Sequence, residues 1–170
     1  MIVTLTGYMG SGKSSTGIQL ASLLRCEFVD LDSYIEDKVG KSIADIFACE
    51  GEKAFRAMEA EALRDIVVMH SLTGSSVVIA LGGGTLMTHA LQDLIFGETF
   101  CIWLRADVQQ LLRRVGSGQG RPLADSRFEQ RLKERESVYS RAAMTVDTDE
   151  LTPFQVAQLI ASEVTKKEAQ

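Results

Sequence analysis

Proline is nearly absent from this chain, at two in 170 residues, and cysteine is scarce, at three. With 45% hydrophobic and 24% charged residues around those gaps, the composition is that of an ordinary soluble protein, and disorder is expected only at the ends. Cys26, Cys49 and Cys101 are odd in number and far apart, which suggests neither a disulfide framework nor a metal knuckle. They are expected as reduced thiols packed like small hydrophobes. His70 and His89 have no ligand-like neighbours in sequence. Positive charge is also in deficit: a formal net charge of −5 argues against a general nucleic-acid binder or a coat on anionic membranes, both of which need a basic field. No apolar run approaches the roughly 20 residues that span a bilayer. The opening MIVTLTGYMG lacks the basic lead and longer apolar stretch of a secretory leader, so a cytoplasmic location is expected.

What the chain does have is glycine, 14 in all, and five short apolar runs: IVTLT at 2–6, FVDL at 28–31, VVIAL at 77–81, FCIWL at 100–104 and MTV at 144–146. The runs are near-continuous rather than alternating, the pattern of strands covered on both faces. Helix-like segments separate them. That βαβα order predicts a mostly parallel sheet with helices on both sides, in a single domain over residues 1–170. Leu20, Ala21 and Leu24 form one helical stripe; Phe55, Met58, Ala62 and Ile66 form another. Asp107 with Gln110, and Thr152 with Pro153 and Gln155, read as helix starts of the capping-box kind. VGSGQGRPL at 115–123 fits no element and is expected to be an exposed loop of low local stability.

GYMGSGKS at 7–14 matches G-x-x-x-x-G-K-[ST] between an expected strand and an expected helix, the context that motif requires. Its glycines let several N–H groups converge on phosphates, and the helix start adds its positive end. Lys13 would neutralise the β- and γ-phosphates and the Ser14 hydroxyl would ligate Mg²⁺. Nucleotide binding follows from this stretch more firmly than any other function.

FVDLD puts Asp30 and Asp32 at the C-terminal end of the second strand, the edge where open α/β sheets bind ligands. Asp30 suits Mg²⁺, directly or through water. Asp32 suits the alignment or deprotonation of an acceptor hydroxyl, or else caps the helix that follows. Arg121, inside the glycine-rich loop, is placed to swing onto phosphate as part of a lid. Arg56 and Arg135 either bind an anionic group bidentately or lie in solvated ion pairs. The triplet Gly82, Gly83 and Gly84 directly follows an apolar strand and brings no carboxylate of its own. It forms either a sheet bend or a wall of bare backbone beside a ligand.

Taken together, GYMGSGKSSTG, FVDLD, SIADIF, the GExxFR pattern at 51–56, LGGG, RPL and the R-x-x-x-Y at 135–139 appear in the order of the shikimate kinase family, and residues 1–149 resemble it. The resemblance implies a three-layer P-loop α/β fold with a five-stranded parallel sheet in the order 2-3-1-4-5. It implies transfer of the γ-phosphate of ATP, with Mg²⁺, to the 3-hydroxyl of shikimate in the pathway to chorismate and the aromatic amino acids. The acceptor region at 32–61 and the lid at 115–125 follow from it. So does the assignment of Asp32, Arg56, Gly82, Gly83, Gly84 and Arg135 to shikimate. ATP falls to Gly10, Ser11, Gly12, Lys13, Ser14, Ser15, Arg114 and Arg121, the metal to Ser14 and Asp30, and catalysis to Lys13, Asp32 and Arg121. A cytoplasmic monomer that binds neither nucleic acid nor membrane is expected. Two departures stand out: Ala124 in the lid, and Asp149 and Glu150 near the expected nucleotide edge. A gluconate-type kinase would share the phosphate loop but need other acceptor contacts, and a nucleotide switch would need no acceptor arginines.

Overall fold

The computed structural model describes residues 1–116 and 128–169; Arg121 and most of the expected lid lie outside them. Each apolar run forms a strand within one residue of its expected bounds: β1 (Ile2–Thr6), β2 (Glu27–Asp30), β3 (Val77–Ala80), β4 (Phe100–Arg105) and β5 (Met144–Asp147). The sheet order is β2-β3-β1-β4-β5 and every neighbouring pair is parallel, as expected. The helices are α1 (Lys13–Leu24), α2 (Leu31–Val39), α3 (Ile43–Cys49), α4 (Gly51–Thr73), α5 (His89–Glu98), α6 (Val108–Gly116), α7 (Phe128–Tyr139) and α8 (Pro153–Glu168).

Burial on both faces explains the continuous apolar strands. Side chains alternate between the faces of a strand, so Ile2, Val77, Ile79, Cys101 and Trp103 enter one core while Val3, Leu5, Val78, Ile102 and Leu104 enter the other. The first core is closed by Leu31 and Ile35 of α2, Leu63 and Ile66 of α4, Leu91 and Ile95 of α5, and Tyr139 of α7. Leu20 and Ala21 of α1, with Val156, Ile160 and Val164 of α8, close the second. Because all five strands run the same way, their C-terminal ends share one edge. The turns after β1, β2 and β3, which carry the phosphate loop, the acid pair and the glycine triplet, therefore meet there.

The helix starts differ in how they are satisfied. Thr152 and Gln155 make the full reciprocal capping box at α8. At α6 the Asp107 carboxylate accepts the Gln109 N–H at 2.8 Å, but its own N–H donates to Asp149 Oδ1 at 2.9 Å rather than to Gln110. β4 and β5 are neighbours, so the loops that leave them meet and the cap is completed across them. The cysteines are all free thiols. Cys101 is buried and Cys26 half-buried, whereas Cys49 is exposed, contrary to the expectation of packing, because α3 buries only Ile46. Among the described residues no helix is long and apolar enough to cross a membrane.

Gly17 in the middle of α1 would normally be a weak point, since alanine is worth up to about 1 kcal/mol more in a helix interior. Here a Cβ at Gly17 would overlap the ring of Phe28, which leans on the helix from β2. Overpacking typically costs about 1–3 kcal/mol, which outweighs the propensity gain. Gly17→Ala is expected to lower stability by about 1 kcal/mol and the thermal midpoint by about 2–4 °C; a raised midpoint in calorimetry would contradict this.

Candidate active site

The turn from β1 into α1 is shaped by glycines with left-handed backbone, Gly7 at φ 143°, Gly10 at 82° and Gly12 at 92°. A Cβ on Gly7 would lie 2.5 Å from the Leu104 carbonyl oxygen, so the loop also needs the missing side chain to pass β4. Gly12 is the residue before α1 and no side chain caps that helix. The first N–H groups of α1 are thus directed at the loop's interior, the arrangement that binds phosphate. Lys13 folds back over the loop, donating from Nζ to the Gly7 carbonyl at 2.9 Å and the Tyr8 carbonyl at 3.1 Å. A cavity of about 440 Å³ adjoins the loop, lined by residues 10–16 on one side and by Arg114, Thr148, Leu151, Pro153 and Val156 on the other. Arg114 is fixed there by the Thr148 carbonyl at 2.8 Å and the Thr148 hydroxyl at 3.1 Å.

The structure decides between the two readings of Asp32. The helix cap is Asp30, whose carboxylate accepts the Ser33 N–H at 3.4 Å; Asp32 lies inside the first turn of α2, so the capping alternative for it falls away. The reason is that β2 ends one residue earlier than the apolar run suggested, and α2 starts at Leu31. Ser14 donates to Asp30 Oδ2 at 2.6 Å, bringing the two expected metal residues together at the mouth of the phosphate loop. The Asp32 carboxylate accepts no donor among the described residues. Its carboxyl is pushed above the usual range by loss of water and by the nearby charges of Asp30 and Glu59, against which Lys13 pulls it down.

The glycine triplet lies among the other expected groups. A Cβ on Gly82 would stand 3.0 Å from Asp32 Oδ1 and 3.1 Å from Glu59 Oε1. One on Gly84 would be 2.6 Å from Arg56 Nη2, while at Gly83 the nearest atoms, Arg135 Nη1 and the Met9 N, are 3.6 Å away. Arg135 donates to the Gly83 carbonyl at 3.0 Å, and Tyr139 donates to the same oxygen at 2.6 Å. Asp32, Arg56, Arg135 and the triplet are therefore assembled from four separate stretches of chain. The end of β3 is also not free of acid in space, because Glu59 reaches it from α4.

Glu59 is the residue that sequence reasoning passed over. It is fully buried, accepting Arg56 Nη1 at 2.7 Å and the Thr85 hydroxyl at 2.5 Å. A signal existed: Glu59 falls on the same stripe as Phe55, Ala62 and Ile66, where a lone charge among apolar residues asks for a partner. Thr148, Leu151 and Val156 were missed for want of any motif. Asp149, expected near the nucleotide edge, accepts the Asp107 N–H at 2.9 Å.

Burial of the Lys13 ammonium lowers its pKa from 10.5 to about 8, although Asp32 and Asp30 oppose the shift. Between those values the unfolded chain holds a proton that the folded protein has released, so stability rises with pH across that window. Relative to Lys13→Met, the native protein is expected to gain stability as the pH is raised from 8 to 10.5. Urea unfolding of both proteins at each pH checks this, and a difference that stays flat would count against it.

A model of the shikimate kinase family matches residues 9–165. Among curated relatives, a shikimate kinase of Thermus thermophilus is 42% identical over 153 residues, 86% of this chain and 80% of that protein. That of Thermobifida fusca is 36% identical over 168 residues, 96% of this chain and 94% of that one. The solved structure of shikimate kinase from Acinetobacter baumannii in complex with shikimate superposes with a TM-score of 0.85 at 30% identity, over 99% of this chain and 95% of that chain. The Aquifex aeolicus enzyme gives 0.84 at 28%, over 99% of both. The phosphate loop, the acid pair and the arginine-flanked glycines thus lie on a chain that, by similarity along nearly its whole length, belongs to the shikimate kinase family.

Proposed function

We propose that this chain transfers the γ-phosphate of ATP to the 3-hydroxyl of shikimate, releasing ADP and shikimate 3-phosphate. The observation that carries the reading is the convergence of Arg56, Arg135 and Asp32 on the glycine triplet, immediately beside the phosphate loop. Two guanidiniums suit a carboxylate, and a carboxylate beside them suits ring hydroxyls.

The N–H groups at Gly10, Ser11, Gly12, Lys13, Ser14 and Ser15 bind the phosphates of ATP, and Arg114 lies against the adenine with Pro153 and Leu151 in the same cavity. Ser14 and Asp30 supply hard oxygen ligands of the kind Mg²⁺ takes, and this fits an ion that keeps waters and phosphate oxygens in its shell rather than an all-protein cage. When bound, the ion neutralises charge on the β- and γ-phosphates. Arg56 and Arg135 orient shikimate by its carboxylate, with Gly82, Gly83 and Gly84 as the wall beneath the ring. Asp32 aligns the acceptor hydroxyl and takes its proton; the raised carboxyl pKa brings it nearer the range in which a general base is effective. Lys13 leaves the Gly7 and Tyr8 carbonyls for the transferring phosphoryl group, where it stabilises charge on the equatorial oxygens. By resemblance Arg121 joins it from the lid. The protein acts as a single-domain monomer in the cytoplasm.

A coupled assay of ADP release with shikimate and with gluconate tests the reaction. Strong dependence on shikimate is expected, and ATP turnover indifferent to it would overturn the proposal. A sharper expectation comes from the glycines. Gly83→Ala has room within the protein, so its fold should persist while the shikimate KM rises about tenfold from the lost ligand space. Gly84→Ala should raise the same constant by displacing Arg56. Gly97→Ala on α5, where a Cβ meets nothing within 4 Å, serves as the unaffected control. Unchanged shikimate KM in Gly83→Ala and Gly84→Ala would remove the triplet from the acceptor site.

A further inference from the structure

Tyr8 fills the first variable position of G-x-x-x-x-G-K-S, a position the phosphate-binding chemistry leaves unspecified. Here it is tied to groups on both sides of the site. Its carbonyl accepts Lys13 Nζ at 3.1 Å and the Ser11 N–H at 3.1 Å. Its ring is buried, with the Arg135 guanidinium carbon 4.9 Å from its centroid and the Phe128 ring packed edge-on at 5.0 Å. Arg135 is thereby held between an aromatic face and the Gly83 carbonyl, which lies 3.0 Å from Nη1.

A guanidinium near an aromatic ring is attracted by the ring quadrupole, and its planar donor fork loses fewer alternatives when a ligand arrives. It also carries five N–H donors, more than one carbonyl can take. We propose that the Tyr8 ring is the platform that positions Arg135 for the acceptor's carboxylate, so that a single residue of the phosphate loop belongs to both substrate sites. Before ATP arrives its carbonyl holds the lysine that will serve the nucleotide, and its side chain holds the arginine that serves the acceptor. Tyr8 is a positioning residue, acting through Arg135, and this inference rests on the assignment of Arg135 to shikimate made above.

The test compares Tyr8→Leu, Tyr8→Phe, Phe128→Leu and Arg135→Ala by calorimetric titration of shikimate, by steady-state kinetics and by thermal midpoint. Tyr8→Leu is expected to weaken shikimate binding about fivefold, in Kd and in KM alike, while kcat at saturating shikimate and the KM for ATP stay within about twofold. Tyr8→Phe keeps the ring and is expected to retain native affinity. Phe128→Leu loosens the same apolar cluster but leaves the ring under Arg135, so its shikimate Kd should not move. Should Tyr8→Leu fail to fold, Tyr8→Met, which fills the space without a π-face, carries the same expectation. Unchanged shikimate affinity in the ring-less variant, or equal weakening in Phe128→Leu, overturns the proposal while Arg135→Ala still weakens binding. If Arg135→Ala itself leaves shikimate binding intact, the acceptor assignment fails and the role of Tyr8 with it.

Discussion

The carboxylate of Glu59 has no access to water, and the turn that carries the glycine triplet is organised around keeping it satisfied. Arg56 and Thr85 donate to it, one from the preceding turn of α4 and the other from the short 3-10 turn (Thr85–Met87) that follows the glycine triplet. A buried charge deprived of its partner typically costs about 3–5 kcal/mol, so α4 and the turn after β3 are bound to one relative position. That position brings Gly84 against the Arg56 guanidinium and Gly82 against Asp32. The triplet's missing side chains therefore serve the protein first: they let three charged residues crowd one turn of backbone.

Charge of the opposite sign is handled in a different way at the phosphate loop. Lys13 is drawn out of water and rests on two carbonyls, which is poor compensation for an ammonium and is reflected in its lowered pKa. Asp32 is disfavoured in its charged form by its surroundings. Each group is less comfortable in the ligand-free protein than it would be beside phosphate or a hydroxyl. A site of this kind gives up some stability of the empty fold and recovers it in interactions with what it binds.

Much of this was legible without coordinates. The strands read correctly because a sheet covered on both faces leaves no polar alternation, and the turn from β1 into α1 was legible because the motif that builds it is consecutive in the chain. Ser14 and Asp30, both expected at the metal, meet in a hydrogen bond, one from the first turn of α1 and the other from the end of β2. The errors came where a local rule was satisfied by a distant residue. Asp107 gave its N–H to Asp149, 42 positions away, instead of closing its own box with Gln110. For Asp32 two readings were open, and the capping one fell away because α2 begins at Leu31 and Asp30 takes the cap. Glu59 escaped notice because its place on the apolar stripe asks for a partner without saying which donors, from Arg56 and Thr85, would meet it.

The order of elements, the direction of the strands and the nucleotide chemistry were determined by the sequence alone, since each depends on periodicity or on neighbours within a few residues. The cluster of Asp32, Arg56, Arg135 and the glycine triplet, already named by resemblance, is brought together only by the tertiary structure. Its groups come from α2, α4, the turn after β3, and α7, and no spacing rule relates an arginine at position 56 to one at 135. They meet because a parallel sheet delivers the ends of its strands to one edge, and because a buried carboxylate and an aromatic ring then fix the two guanidiniums within it.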